Sequence, residues 1–409
     1  MFPQTGFDAS VPVSKALAVA KGTQERSVNE AHGLRTPLIL PDFWTGNPPL
    51  PKSSYTVDCS TFALNPEELS KGAALPEALV KVMKQTFNKV GLVVLTNTGL
   101  GDNLAAMKTC GAEILGPNAM AEYKAGANTR RAIKGNVFET GAPGSAHLHY
   151  HHEMAYVSKS TRAVAFCCVK ALPQDGTHRG AMFVSEAIGH TDAIMRTHLG
   201  HKLKEKGITY IRCLTDREEG ESDDPNNENS GVYNHWQTSF GVDTPEEAEA
   251  VARSRGLEVE WGPKRYMKTK YTTSAFEYCP QLDKNLLYSS VSDDSIWFDS
   301  WPGVKQLPTL ESFATATPKQ RPLKITFGDG SDFTREELQT FVRVYDQAGL
   351  PLDWSQGDVA IVCNHRWAHG RPAFSLSPGE ERTLGVMLGE MFEREGQRDG
   401  KWAQEKAKL

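Results

Sequence analysis

Four histidines and an acid crowd one short stretch of this 409-residue chain: His147, His149, His151, His152 and Glu153. Imidazole nitrogens and carboxylates are metal ligands, and which of them converge depends on the backbone. If Tyr150 to Tyr156 is a strand, side chains two apart share a face, so His147, His149, His151 and Glu153 point one way and His152 the other. His152 can then join Glu153 only across a bulge, which makes His151 the better ligand. Far along the chain, His369 would complete two imidazoles and one carboxylate around an octahedral ion with open positions, a set suited to non-haem Fe(II) and dioxygen. The pair alone is a weak signal, because a half-buried, histidine-rich strand whose rings bond backbone or water reads the same way.

The wider wording is more specific. His151-His152-Glu153-Met154-Ala155-Tyr156, the run Gly357-Asp358-Val359-Ala360-Ile361-Val362 leading to Asn364, and His369-Gly370-Arg371-Pro372-Ala373-Phe374 stand in this order. Together they resemble the taurine dioxygenase and clavaminate synthase-like family of Fe(II)/2-oxoglutarate-dependent oxygenases, from about Leu79 to about Leu388. The resemblance implies that His151, Glu153 and His369 hold Fe(II), that Arg382 grips the distal carboxylate of the cosubstrate 2-oxoglutarate, and that O2 is consumed with succinate and CO2 as coproducts. A guanidinium suits that grip, since its planar fork meets a carboxylate bidentately and stays charged. The competing reading of Arg382 is an exposed strand-end arginine paired with Glu380 or Glu381. Arg371 is the reserve candidate.

Two positions depart from the family pattern. Where it places a threonine that touches 2-oxoglutarate, Arg179-Gly180-Ala181-Met182-Phe183-Val184 offers Met182. A thioether donates no hydrogen bond, so either Thr177 or another donor substitutes, or the cosubstrate has one contact fewer. Cys363 stands where an aspartate often precedes Asn364. Glu153 fills the position that family halogenases leave open for chloride, so halogenation is not expected. Hydroxylation, desaturation and oxidative cyclisation of the kainoid-synthase kind stay open, on a small, amino-acid-derived metabolite. Candidate substrate contacts are Arg130 and Arg131, for a carboxylate, and Tyr150, Tyr156 and Trp367 as aromatic wall, with Trp236 and Trp297 behind them; each aromatic also reads as core. A different class uses the same ligand set: zinc with a water for hydrolysis, or a metal-binding jelly roll turned ligand-binding module without oxygenase activity. Arg382 weighs against both, since neither needs a guanidinium beside the metal.

The elements that must position these residues read as a mainly β protein with flanking helices, and the family fold is a double-stranded β-helix (jelly-roll) core. Leu79, Met83, Phe87 and Val90 recur at helical spacing up to Gly91, and the apolar run Leu92-Val93-Val94-Leu95 follows as a buried strand. Short β-branched and aromatic runs (162–169, 182–184, 208–213, 286–291 and 359–362) alternate with polar turns, which favours a barrel or jelly roll over a doubly wound sheet. No phosphate-binding glycine loop is present, so nucleotide chemistry is not expected. The proline-rich residues 1–53 are expected as an extended leader, 54–390 as the oxygenase domain with a lid or insertion at about 214–285, and 391–409 as a charged C-terminal tail. Within the insertion, 216–229 reads as an acidic solvated loop and 244–256 as a helix.

Composition narrows the partners. The hydrophobic share of 39% supports a sizeable core, and a net charge of −5 leaves no basic footprint for nucleic acid or an anionic membrane. A small-molecule substrate is the expected partner. No apolar stretch approaches a membrane span. Seven cysteines, an odd number without Cys-x-x-Cys spacing, suit a reducing, cytoplasmic compartment.

Overall fold

A computed structural model of the chain describes residues 43–116, 132–134, 137–139, 144, 147–218, 235–291 and 323–402. They form a mainly β molecule with several sheets and flanking helices. The larger sheet runs in the order Thr56–Asp58, Leu92–Thr96, Val359–Cys363, Ala163–Lys170, Thr383–Leu388, Val137–Glu139, Ala132–Lys134, and its first pair is parallel. The smaller runs Gly349–Leu352, Met182–Glu186, Trp367–Arg371, Leu148–His151, antiparallel throughout.

Period-2 alternation divides the apolar runs between two cores. Val93, Leu95, Ala165, Cys167 and Ile361 pack beneath the helices Glu77–Val90 and Leu104–Leu115, while Leu92, Val94, Val164, Phe166 and Val362 face the smaller sheet, whose Met182, Val184 and Trp367 meet them. Both faces are therefore dry, which is why these strands read as near-continuous apolar runs rather than as alternating ones. A third core backs the smaller sheet, where Phe183, Ala368 and Tyr150 meet the helices Ala187–Ile194, His198–Lys206 and Arg335–Gln347.

Three expected boundaries change. Phe43, inside the expected leader, is fully buried in the third core; its N–H donates to Asp346 Oδ1 at 2.9 Å and its carbonyl accepts from the Tyr150 hydroxyl. Burying a phenylalanine contributes on the order of 2–3 kcal/mol, enough to anchor this end of the segment; residues 1–42 lie outside the described ones. The segment expected as a charged tail is folded through residue 402. Its strand Met391–Glu393 pairs with Lys159–Thr161, and Trp402 is buried edge-on against Phe276. The insertion expected at about 214–285 is built into a sheet. It shares a four-stranded sheet, Glu258–Trp261, Met267–Thr273, Ile208–Leu214, Leu323–Phe327, with strands lying outside its expected bounds.

Within that insertion the expected helix is Pro245–Ser254, opened by a capping box between Thr244 and Glu247. Asp216, expected in a solvated loop, is instead buried, with Arg265 Nε at 3.1 Å; residues 219–229 lie outside the described ones. No helix of the described residues is long and apolar enough to cross a membrane. All seven cysteines are free.

Candidate metal centre and its surroundings

The strand that carries His151 ends on it. Leu148–His151 pairs with Trp367–Arg371 so that His151 faces His369, but Arg371 faces Leu148, which puts one additional residue on the histidine strand. Such a bulge re-aims side chains. His149 consequently does not join His151: its Nδ1 lies 3.2 Å from the Val291 carbonyl, with its ring among Phe43, Tyr150 and Tyr345. His152 is fully buried, stacked on Tyr288 at 4.6 Å and bonded through Nδ1 to the Ser289 backbone.

Glu153 does not lie on the strand, contrary to the expectation that Tyr150 to Tyr156 is extended. It opens a turn whose next residue, Met154, has a φ of 59°. The turn still brings the carboxylate to the expected place. Among the described residues, the group that could hold a metal ion is His151, Glu153 and His369, with ligand atoms all within 4.8 Å of one another. The His369 Nε2 to Glu153 Oε2 distance is 3.6 Å, and the two histidine rings are 4.3 Å apart. His151 Nδ1 lies 2.9 Å from the His149 carbonyl. A carbonyl only accepts, so that nitrogen carries the proton and Nε2 keeps its lone pair for an ion.

Asn364 fixes the turn. Its Oδ1 accepts from the Glu153 N–H at 2.8 Å and its Nδ2 donates to the Glu153 carbonyl at 3.0 Å and to the Thr161 carbonyl at 2.9 Å. The sequence motif contained Asn364 but did not reveal this clamp. Ser160 and Tyr288, which bond the same carbonyl, carried no sequence signal at all.

Arg382 immediately precedes the strand Thr383–Leu388 and is part-buried; its Nε donates to the Gly180 carbonyl at 2.6 Å and its guanidinium lies 5.2 Å from the Phe374 ring. The two acids that the competing reading pairs with it are engaged elsewhere, Glu380 bidentately with Arg179 at 2.6 and 2.7 Å and Glu381 with Lys170. Burial pushes its pKa down to about 10, so it stays charged at neutral pH with no carboxylate against it among the described residues. Arg371 is buried with its guanidinium 4.9 Å from the same ring, and donates to the Gly144 carbonyl at 2.9 Å. Burial, then the neighbouring Arg382, pulls its pKa well below the usual arginine value.

Gly180 has a φ of 74°, and a Cβ there would lie 2.9 Å from Leu172 Cδ1 and 3.1 Å from Arg382 Cδ. Glycine is thus required for the loop to pass Arg382 this closely. Met182 is packed in the core between the sheets. Thr177 does not substitute for the missing threonine, because its hydroxyl is bonded to Asp175 at 2.6 Å on an exposed turn.

The aromatic candidates are mostly core. Trp367 is fully buried with Nε1 on the Val90 carbonyl at 2.9 Å, Tyr150 is fully buried and stacked on Tyr345, and Trp236 is fully buried in the insertion's own small core. Tyr156 is half-buried, edge-on to Tyr210 at 6.4 Å. Arg130, Arg131 and Trp297 lie outside the described residues.

Residues 206–388 match the family model for the taurine catabolism dioxygenases, the TauD, TfdA family. The match covers a little under half of the chain. The matched residues include His369, Arg371 and Arg382, while His151 and Glu153 precede them. A clavaminate synthase-like protein of Arabidopsis thaliana is 25% identical over 255 residues, 62% of this chain and 69% of the relative. A dapdiamide synthesis protein of Enterobacter agglomerans is 23% identical over 188 residues, 46% of this chain, and the match spans half of that protein. Solved structures similar to this one include an asparagine oxygenase with Fe(II), 3-hydroxyasparagine and succinate (TM-score 0.42, 14% identity, 82% of this chain and 93% of that one). Another is a taurine dioxygenase of Burkholderia xenovorans (TM-score 0.41, 12% identity, 79% and 83%).

Proposed function

We propose that this protein is an Fe(II)- and 2-oxoglutarate-dependent dioxygenase that oxidises a small, amino-acid-derived metabolite, with a double-stranded β-helix core made by the two facing sheets. The convergence of His151, Glu153 and His369 carries the reading, and the family match over residues 206–388 supports it. Two neutral imidazoles and one carboxylate occupy one face of an ion and leave the opposite positions to small molecules. When bound, Fe(II) would supply dioxygen activation coupled to decarboxylation of 2-oxoglutarate.

This chain's own residues do the placing. His151 is held in the tautomer that presents Nε2, Asn364 sets the direction of Glu153, and the larger sheet's Phe166 closes against the His369 ring at 5.1 Å. On this reading Arg382, desolvated and with no acid against it among the described residues, receives the distal carboxylate of 2-oxoglutarate, while Arg371 braces the strand. A zinc hydrolase has no use for a desolvated guanidinium so placed. The insertion sheet would serve as wall and lid, half-buried Tyr156 remains the aromatic candidate for the substrate wall, and the free thiols agree with a reducing, cytoplasmic setting.

The test is anaerobic reconstitution of the protein with Fe(II) and then 2-oxoglutarate. A weak visible charge-transfer band on adding 2-oxoglutarate, absent in His369→Ala, is the expected result. A parent protein that gives no such band would sink the reading. Succinate release screened against amino-acid-derived metabolites would then identify the substrate class.

A further inference from the structure

Glu153 is held by groups far beyond its own turn. Its carbonyl accepts from Ser160 Oγ at 2.8 Å, Asn364 Nδ2 at 3.0 Å and the Tyr288 hydroxyl at 3.3 Å, and that hydroxyl also bonds Ser160 Oγ and Asn364 Nδ2. Two residues on, the Ala155 carbonyl accepts from an Arg394 terminal nitrogen at 2.6 Å. The Arg394 side chain is fully buried: its Nε bonds Glu277 at 3.0 Å, its other terminal nitrogen bonds the Ser274 carbonyl at 3.0 Å, and its plane lies 4.9 Å from the Tyr288 ring. Glu277 is itself satisfied, its second oxygen accepting the N–H groups of Glu395 and Gly396 at 2.8 and 2.9 Å.

A buried ion pair is a poor device for stability alone, because desolvating both charges offsets most of their attraction. This one has a geometric output. The guanidinium fork spans the hairpin strand Phe276–Cys279, the C-terminal segment and the turn that follows the carboxylate, while Tyr288, on which it lies, reaches the carbonyl of the carboxylate residue itself. We propose that Tyr288 and Arg394 are positioning residues for the Glu153 carboxylate, so that the C-terminal segment is a working part of the metal centre. The proposal rests on the reading of His151, Glu153 and His369 as that centre.

Co(II) titration of the full chain tests it, with affinity and the visible d–d spectrum as readouts and thermal unfolding as the control. Tyr288→Phe keeps the ring under Arg394 and beside His152 and removes only the hydroxyl. It is expected to bind Co(II) about 10–100-fold more weakly, with a shifted d–d band. Arg394→Lys, which keeps the charge but loses the fork, is expected to move the band in the same way; should it fail to fold, Tyr288→Phe decides alone. Leu79→Ala, in the core under the first helices, is expected to lower the unfolding temperature and leave band and affinity unchanged. Tyr288→Phe with the parent's band and affinity overturns the proposal, as does a Leu79→Ala band shift of equal size. A parent chain that binds no Co(II) removes the metal-centre reading, and this inference with it.

Discussion

At the scale of residues, the trio makes the sharpest demands. His151→Ala, Glu153→Ala and His369→Ala should each lose tightly bound metal and turnover, since two remaining ligands cannot fix an ion. His152→Ala should behave differently. Its ring is core, stacked on Tyr288 and bonded to Ser289, so the variant should lose stability, on the order of 2–4 kcal/mol for a large buried side chain, yet still bind one metal ion in an equilibrium titration. Metal retained by His151→Ala and lost by His152→Ala would reverse the assignment. Arg382→Ala should weaken 2-oxoglutarate by about thirtyfold or more, because a desolvated charge-assisted pair contributes on the order of 2–5 kcal/mol, with Co(II) affinity unchanged. A larger cosubstrate defect in Arg371→Ala would transfer the role. The grouping of His151, Glu153 and His369 was legible in the sequence because spacing and wording point to it. Their geometry was not: the bulge beside His149 leaves no local trace, and the turn at Glu153 is held by Asn364, Tyr288 and Ser160, brought together only by the fold.

Elements set how closely these residues can meet. The strand with His369 lies so near the strand with His151 that a Cβ at Gly370 would sit 2.7 Å from the Leu148 carbonyl oxygen and 2.9 Å from the Tyr150 nitrogen. Backbone cannot yield as a flexible side chain can, so Gly370→Ala should cost about 1–3 kcal/mol as overpacking and also weaken Co(II), by forcing the two histidine strands apart. A urea midpoint and a Co(II) affinity both equal to the parent's would contradict that spacing. Met182 faces the core between the sheets, and Met182→Thr should lose on the order of 2 kcal/mol through the cavity it leaves. Tighter 2-oxoglutarate binding in that variant would return the position to the cosubstrate wall. The helix Glu77–Val90 and the apolar strands were legible because periodicity registers burial. Pairing order left no local trace, nor did the sheet shared by the insertion and its flanks, since partners such as Ile208–Leu214 and Leu323–Phe327 are remote in sequence.

The whole molecule keeps several imidazoles neutral. Burial holds His190 and His365 down at about 3, with the Arg162 and Arg394 charges adding to the effect at His365. Below pH 6.5 the unfolded chain takes up protons that these rings refuse, so their contribution to stability is complete above 6.5 and is lost as pH falls toward 3. Buried Asp358, raised to about 6, has the opposite sign and offsets part of this between pH 6 and 4. At about 1.4 kcal/mol per unit per group, these three groups alone should cost the metal-free protein a net of roughly 2–3 kcal/mol between pH 7 and pH 5, and His149, which burial lowers to about 4, and His152, also lowered by burial, add to that loss. Against a typical total of about 5–15 kcal/mol, that is large enough to move the urea midpoint plainly; equal midpoints would mean that the rings are not buried neutral. The seven thiols have a simpler consequence. Burial raises Cys59, Cys110 and Cys168 to about 12 and Cys279 to about 11, and raises Cys167, Cys213 and Cys363 as well. Alkylating reagents attack the thiolate, so brief iodoacetamide treatment should leave the native chain unmodified, or tagged only at part-exposed Cys213, and should tag every cysteine once the chain opens. Mass spectrometry of that ladder would time the opening of the two cores on either face of the larger sheet, which hold Cys59, Cys110 and Cys167 on one side and Cys168 on the other, with no substitution introduced.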